Sequence, residues 1–150
     1  MKTINILLLV LGLALGSIAQ AQVMGGDKGR REALKMGLYP PDLIMRHQQR
    51  LGITAKQRSN MAAAVKTFQG EVAELQWTLQ SEQQTLKQTV NAHPIDTDQA
   101  LQKVDDVLRL ENEFKRAHFR LLIAIKNALT PEQSEMIQDE MKRRQANRER

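Results

Sequence analysis

The sequence predicts an all-α protein built on one long antiparallel helical hairpin. Apolar residues recur at alternating steps of three and four along residues 54–91 and 96–128, which is the pattern of an amphipathic helix. Between these segments His93 and Pro94 break the pattern, and no segment shows the two-residue alternation of a strand. Two helices of over 30 residues joined by so short a turn must lie antiparallel. Each helix is about 50 Å long, at about 1.5 Å per residue.

Short capping patterns predict where the helices begin. An apolar-Thr-x-x-Gln pattern occurs twice, at Ile53, Thr54 and Gln57 and again at Leu129, Thr130 and Gln133. This pattern is typical of a capping box. In a capping box the Thr side chain accepts a hydrogen bond from the backbone N–H three residues on, and the Gln side chain accepts one from the N–H of the Thr. Both copies therefore predict a helix start. Asp96 with Gln99 predicts the start of the second long helix in a similar way.

Two short helices flank the hairpin in this prediction. The first begins at the pair Pro40 and Pro41, because proline is well suited to the first helical position, and it runs to Arg50 or Leu51, where Gly52 stops it. The second begins at Pro131 for the same reason and runs to about Arg144.

Much of the apolar surface of such a hairpin is expected to stay half exposed. In the second long helix the predicted seam starts at Leu101 and continues through Val104 and then Val107 or Leu108. Two arms cannot enclose a thick core, and the chain has only one Trp, one Tyr and three Phe. We therefore expect a homodimer that covers part of the remaining apolar surface.

The N-terminus predicts export to the periplasm. Lys2, the apolar run 4–15 and the small-x-small sequence at 19–21 are typical of a cleaved signal peptide over residues 1–21. The apolar run is shorter than the roughly 20 residues that a transmembrane helix needs.

The rest of the chain divides into three parts in this prediction. Residues 22–38 are rich in Gly and lack a periodic apolar face, which predicts a flexible arm. Residues 39–145 form the helical domain, and residues 146–150 are a basic tail. The whole chain carries a net charge of +5. The export signal and the scarcity of aromatic groups nevertheless disfavour a nucleic-acid partner.

The composition excludes several kinds of chemistry. The chain has no Cys, so disulfides, thiol catalysis and thiolate metal sites are excluded. Its three His residues are scattered over separate elements, and no Gly-rich phosphate loop is present. Because residues for acid–base or nucleophilic chemistry do not converge, we expect a protein that is not an enzyme and that needs no cofactor.

These features resemble the Spy/CpxP-type periplasmic proteins, which include ATP-independent chaperones, stress-response modulators and heavy-metal sensors or resistance proteins. Members carry paired Leu-Thr-x-x-Gln motifs, and here Ile53 replaces the first Leu. The runs 39–52 and 125–133 are also similar to the family, and the resemblance extends over about 39–144. It implies a thin, curved helical homodimer with a concave face.

The resemblance implies a periplasmic, ATP-independent chaperone or stress-response protein that binds unfolded or partner polypeptides on the hairpin surface. Candidate residues for a client or dimer surface are Met45, Met61, Phe68 and Trp77. Flexible Met side chains can adapt to varied partners. The alternative for these Met residues is flexible core filling, and Trp77 can equally be a residue flanking the core.

The resemblance also implies an alternative, a periplasmic heavy-metal sensor or metal-resistance accessory protein. Its candidate ligands are His47, Glu71, Glu111 and His118, a set suited to zinc, nickel or cobalt. Leu43 lies one turn before His47, so the paired His of metal sensors is missing. The hairpin places His118 opposite Glu71, and we favour a polar pair there over a metal site. A sensor also needs a membrane-bound sensor or anti-sigma partner. A third option is a helical adaptor that binds neither metal nor clients.

Overall fold

A computed structural model describes residues 27–148 and shows five helices and no strand within that range. They are α1 (Asp27–Lys35), α2 (Pro41–Arg46), α3 (Ala55–Val90), α4 (Thr97–Asn127) and α5 (Pro131–Arg148). Helices α3 and α4 pack along each other as the hairpin, and the shorter helices flank it, which confirms the predicted fold class. None of the described helices combines the length and apolar character needed to cross a membrane. The predicted signal peptide, residues 1–21, lies outside the described residues.

The helix boundaries follow the predicted caps closely in the hairpin and less closely elsewhere. Asp96 Oδ1 accepts a hydrogen bond from the Gln99 N–H at 3.0 Å and caps α4. Helix α2 is shorter than predicted, because residues 47–52 form turns up to Gly52, whose φ is +61°. Helix α5 is longer than predicted and continues into the basic tail as far as Arg148.

The described part of the segment 22–38, predicted to be a flexible arm, instead contains helix α1. Ala33 and Leu38 are buried against Leu122 of α4, and this contact holds the segment on the hairpin. Gly37, at a φ of +69°, ends the helix, and the Leu38 N–H donates to the Ala33 carbonyl at 2.9 Å. The prediction missed α1 because its support comes from a residue far away in the sequence.

The buried core lies at the open end of the hairpin. Its main cluster consists of Tyr39, Leu43, Ile44, Leu51, Ile53, Met61, Phe68, Ala117, Leu121, Ile125 and Ile137. No residue between 69 and 109 is buried. We therefore distinguish two parts, the base (α1, α2, α5 and hairpin residues 55–68 and 110–127) and the stalk (residues 69–109).

The stalk carries a charged contact where its apolar pattern is interrupted by Glu82 and Gln83. Lys103 Nζ of α4 lies 3.3 Å from Glu82 Oε2 of α3 and 3.1 Å from Asp106 Oδ2. All three charged side chains are partly buried. A single polar layer in a helix pair favours one register over others, so this contact specifies how α3 and α4 align.

Candidate functional site

Each of the two Thr/Gln motifs forms a complete capping box at the start of a helix. At the start of α3, Thr54 Oγ1 accepts from the Gln57 N–H at 3.2 Å, and the Thr54 N–H donates to Gln57 Oε1 at 2.9 Å. At the start of α5, Thr130 and Gln133 make the same two hydrogen bonds at the same distances. Two backbone N–H groups are thus satisfied at each helix start.

The two boxes also bind each other through the side-chain amides. Gln57 Nε2 donates to Gln133 Oε1 at 2.7 Å and to the Ala128 carbonyl at 2.8 Å. Gln133 Nε2 donates to the Leu51 carbonyl at 2.9 Å and to Gln57 Oε1 at 3.3 Å. Each glutamine therefore caps its own helix with its oxygen and crosses to the other motif with its nitrogen.

We call the four residues Thr54, Gln57, Thr130 and Gln133 the clasp. Sequence reasoning predicted two separate capping boxes and missed the contact between them. The sequence did contain one signal of this contact, the side-chain NH₂ group of each Gln. A capping box uses only the side-chain oxygen of the Gln, and an NH₂ group near a core must find acceptors.

The apolar residue that opens each motif packs into the base. Ile53 is buried in the main core cluster, and Leu129 is partly buried against it. The hydrogen-bonded clasp is thus attached to the apolar core through the residue that precedes each Thr.

His118 lies in the hairpin seam beside an aromatic cluster. Its ring centroid is 5.9 Å from that of Phe68, and Phe68 makes an edge contact with Phe114 at 6.4 Å. Burial lowers the pKa of the His118 imidazole below its ordinary value, because desolvation disfavours the charged form. The predicted pairing of His118 with Glu71 is wrong, since Glu71 Oε2 instead binds Arg120 Nη2 at 3.0 Å.

The four candidate metal ligands do not come together in the structure. His47 Nε2 lies 3.2 Å from Arg144 Nη2, at the contact between α2 and α5. Glu111 is partly buried on α4, about 10 Å along the helix from His118. In residues 27–148, no three His, Cys, Asp or Glu side chains are grouped so that they could hold a metal ion. The residues present therefore do not fit a metal site in this conformation.

The four candidate surface residues divide into two pairs. Met45 and Trp77 are exposed, Trp77 by 76%. Met61 and Phe68 are buried in the main core cluster, which corrects their placement on a client or dimer surface. The correction has a simple cause, because both lie on the α3 face that meets α4 and the base.

Together the hairpin and the clasp define a class, that of small all-helical proteins whose hairpin is closed at one end by paired Thr–Gln caps. A profile of the family described as heavy-metal resistance matches residues 6–136, most of the chain. The chain belongs to this heavy-metal resistance family, which confirms its resemblance to the Spy/CpxP-type helical proteins. No curated protein and no solved structure matched the chain.

The clasp predicts energetic coupling between the two motifs. Gln57→Ala and Gln133→Ala should each lower the free energy of unfolding by about 1–3 kcal/mol, because each leaves polar groups of the other motif without partners. The double variant should lose less than the sum, by at least about 0.5 kcal/mol. Urea unfolding followed by circular dichroism measures all three. Gln99→Ala, at the matching position of α4, is the control outside the clasp, and strict additivity would contradict the coupling.

His118 predicts a dependence of stability on pH. Because its pKa is lowered in the folded chain, the unfolded chain binds the proton more readily, and stability falls as the pH drops through the ordinary histidine pKa of about 6.5. Urea unfolding curves measure the free energy of unfolding at each pH. Between about pH 8 and about pH 5 this free energy should fall less in His118→Phe than in the wild type. His93→Phe, in the exposed turn, is the control. An unchanged pH dependence in His118→Phe would contradict the assignment.

Proposed function

We propose that this member of the heavy-metal resistance family is exported to the periplasm, with residues 1–21 as its signal peptide. There it works as an ATP-independent chaperone or stress-response protein that binds unfolded or partner polypeptides on the stalk. It acts by binding and not as an enzyme. The observation that carries the proposal is the exposure of large apolar side chains along a stalk that has no buried residue.

The apolar surface of the stalk is open along its whole length. Its exposed large apolar side chains are Trp77, Val90, Ile95, Leu101 and Leu108. Leu101 and Leu108 lie about two turns apart on one face of α4, and apolar groups exposed together on one surface mark sites of binding more often than scattered single ones do. Trp77 lies on a different side of the hairpin and offers a separate point of contact.

Trp77 is the most exposed of these residues. It lies two positions after the half-buried seam residue Leu75, about 200° around the helix, and so points away from α4. Ala73 and Gly70, which precede it by one and two turns respectively, are small and exposed, so the surface beside the indole is flat. An exposed aromatic on a flat surface can contact many different apolar segments.

Charged residues of both signs lie among the apolar ones. Glu74 and Lys87 are exposed on α3, and Asp98 and Arg109 are exposed on α4. Such a surface can capture a charged, unfolded chain at long range before apolar contacts form. This two-stage capture needs no nucleotide, which fits the lack of a phosphate-binding motif in the sequence.

The proposal predicts that Trp77 contributes to client binding without contributing to folding. Trp77→Ala should weaken suppression of client aggregation severalfold in light-scattering assays without ATP, while the urea midpoint stays within error. Trp77→Phe should keep most of the activity, and Gln80→Ala, one turn away, is the matched control. If the wild-type protein suppressed aggregation of none of several unfolded clients, the chaperone function would be excluded.

Family membership favours a second candidate function, direct binding of a heavy metal as a sensor or resistance accessory protein. Such a site would require Arg120 to release Glu71 and Arg144 to release His47, and His118 to leave Phe68. A sensor would further need a membrane-bound sensor or anti-sigma partner.

Calorimetric titration with zinc, nickel and cobalt separates the two candidate functions. For the described conformation we expect no stoichiometric submicromolar binding, because the candidate ligands lie apart. Tight binding that His118→Ala abolishes, and that His93→Ala leaves intact, would favour the metal function instead.

A further inference from the structure

A basic and apolar patch lies on the outward face of α4, within the base. Phe119 and Ile123, one turn apart, are exposed by 42% and 46%. The cations that flank this pair are also exposed, and they are Lys115, Arg116 and Lys126. At about 100° per residue the five side chains fall within an arc of about 100° and extend over about 17 Å of the helix. They therefore form one continuous surface.

The patch continues onto the end of α1. Lys126 Nζ lies 3.5 Å from the carbonyl oxygen of Met36, whose side chain is 53% exposed. Ala33 and Leu38, buried against Leu122, hold this segment beside α4. Met36 thus adds a third exposed apolar side chain next to the cations. We call the basic patch the six residues Met36, Lys115, Arg116, Phe119, Ile123 and Lys126.

The charge of α4 around the basic patch has a single sign. Residues 114–130 contain no Asp or Glu. Within residues 27–148, Lys115 and Arg116 make no ion pair or hydrogen bond through their side chains. The neighbouring cation Arg120 differs, because its Nη2 lies 3.0 Å from Glu71 Oε2. The described part of the chain therefore leaves the charge of Lys115 and Arg116 available to a partner.

The charge of the whole molecule is also divided between its two ends. Stalk residues 69–109 contain seven Asp or Glu and three Lys or Arg. The rest of residues 27–148 contains nine Asp or Glu and 17 Lys or Arg. An anionic surface therefore attracts the base and repels the stalk, so it orients the molecule before contact is made.

We propose that the basic patch binds the surface of a bilayer that contains anionic phospholipids. Phe119 and Ile123 enter the boundary between head groups and acyl chains, as the apolar face of an interfacial helix does. The long Lys and Arg side chains reach the lipid phosphates while their aliphatic parts stay against the apolar layer.

The composition of the basic patch favours a lipid surface over a polypeptide. The stalk mixes both signs of charge among its apolar groups, which suits varied polypeptides. The basic patch combines apolar groups with cations alone, which is the pattern of helices that lie on anionic membranes. A bilayer presents phosphates above an apolar layer along the full length of such a patch, whereas a polypeptide would need acidic and apolar residues in matching positions.

Membrane binding goes beyond the proposed function, and its test depends neither on client binding nor on export. Trp77 lies on the face of α3 that points away from α4, so it stays accessible when the basic patch is on a bilayer. The protein would then hold its base on the membrane and keep the stalk surface in water.

Co-sedimentation of the full chain with vesicles tests the proposal. We expect binding to vesicles of equal parts phosphatidylglycerol and phosphatidylcholine that weakens as salt is raised. Vesicles of phosphatidylcholine alone measure any binding by the apolar run 4–15, which every variant shares. Lys115→Glu with Arg116→Glu should weaken binding to the anionic vesicles by about tenfold or more. The matched control is Lys56→Glu with Lys66→Glu, which makes the same change in net charge on exposed positions of α3 and should weaken binding much less.

A fluorescent probe tests whether this particular face meets the lipid. Trp77 is the only Trp of the chain, so Trp77→Phe with Phe119→Trp moves the indole into the basic patch. Anionic vesicles should shift the emission of this variant to shorter wavelength, and should leave the emission of the wild type unchanged. At constant charge, Phe119→Ser with Ile123→Ser should weaken binding severalfold. Circular dichroism establishes that each variant remains helical.

Four results would overturn the proposal. The first is wild-type binding to anionic vesicles that is no tighter than binding to phosphatidylcholine. The second is equal weakening by the α4 and α3 charge variants, which would assign binding to net charge alone. The third is an indole at position 119 whose emission vesicles leave unchanged. The fourth is binding of poly-glutamate, lost in the α4 charge variant, without binding of vesicles, which would assign the basic patch to an acidic protein.

Discussion

The hydrogen bonds between Gln57 and Gln133 hold the base together, and the position of the core depends on them. They join the start of α3 to the start of α5, and through the carbonyls of Leu51 and Ala128 they also fix the turns that lead into both helices. The short helices are thereby held against the open end of the hairpin, where Ile44 and Ile125 become fully buried. Because a buried amide left without partners costs about 1–3 kcal/mol, the four clasp residues form one unit.

Exposure of the stalk follows from the same arrangement. Within residues 27–148 the base takes all the flanking helices, so along residues 69–109 each hairpin helix packs against the other and against no further described helix. A helix in a two-helix pair can bury one face only, and its remaining apolar residues stay in water. Lys103 and Glu82 set the alignment of this pair, but partly exposed ion pairs add little stability. The stalk therefore supplies accessible surface, and the base supplies the folding free energy.

The sequence predicted the hairpin because its signals are local. Apolar periodicity and the Thr, Asp and Gln caps depend only on neighbouring residues, and the long helices begin within a residue of where those caps placed them. Contacts between distant residues were not predictable in this way. Helix α1 depends on Leu122, and the clasp joins motifs far apart in the chain. Leu101 and Leu108 follow the same spacing as the seam, so their outward orientation could not be read from the pattern.

The sequence also could not predict whether the candidate metal ligands come together, because this depends on contacts between distant residues. Residue type alone made His47, Glu71 and His118 suitable metal ligands, but the structure gives each of them another neighbour: Arg144, Arg120 and Phe68, respectively. A metal could assemble these ligands only if its affinity exceeded the cost of breaking all three contacts. A polypeptide meets no such cost, because the apolar groups of the stalk are already exposed. Of the two proposed functions, polypeptide binding is therefore the one that requires no rearrangement of this conformation.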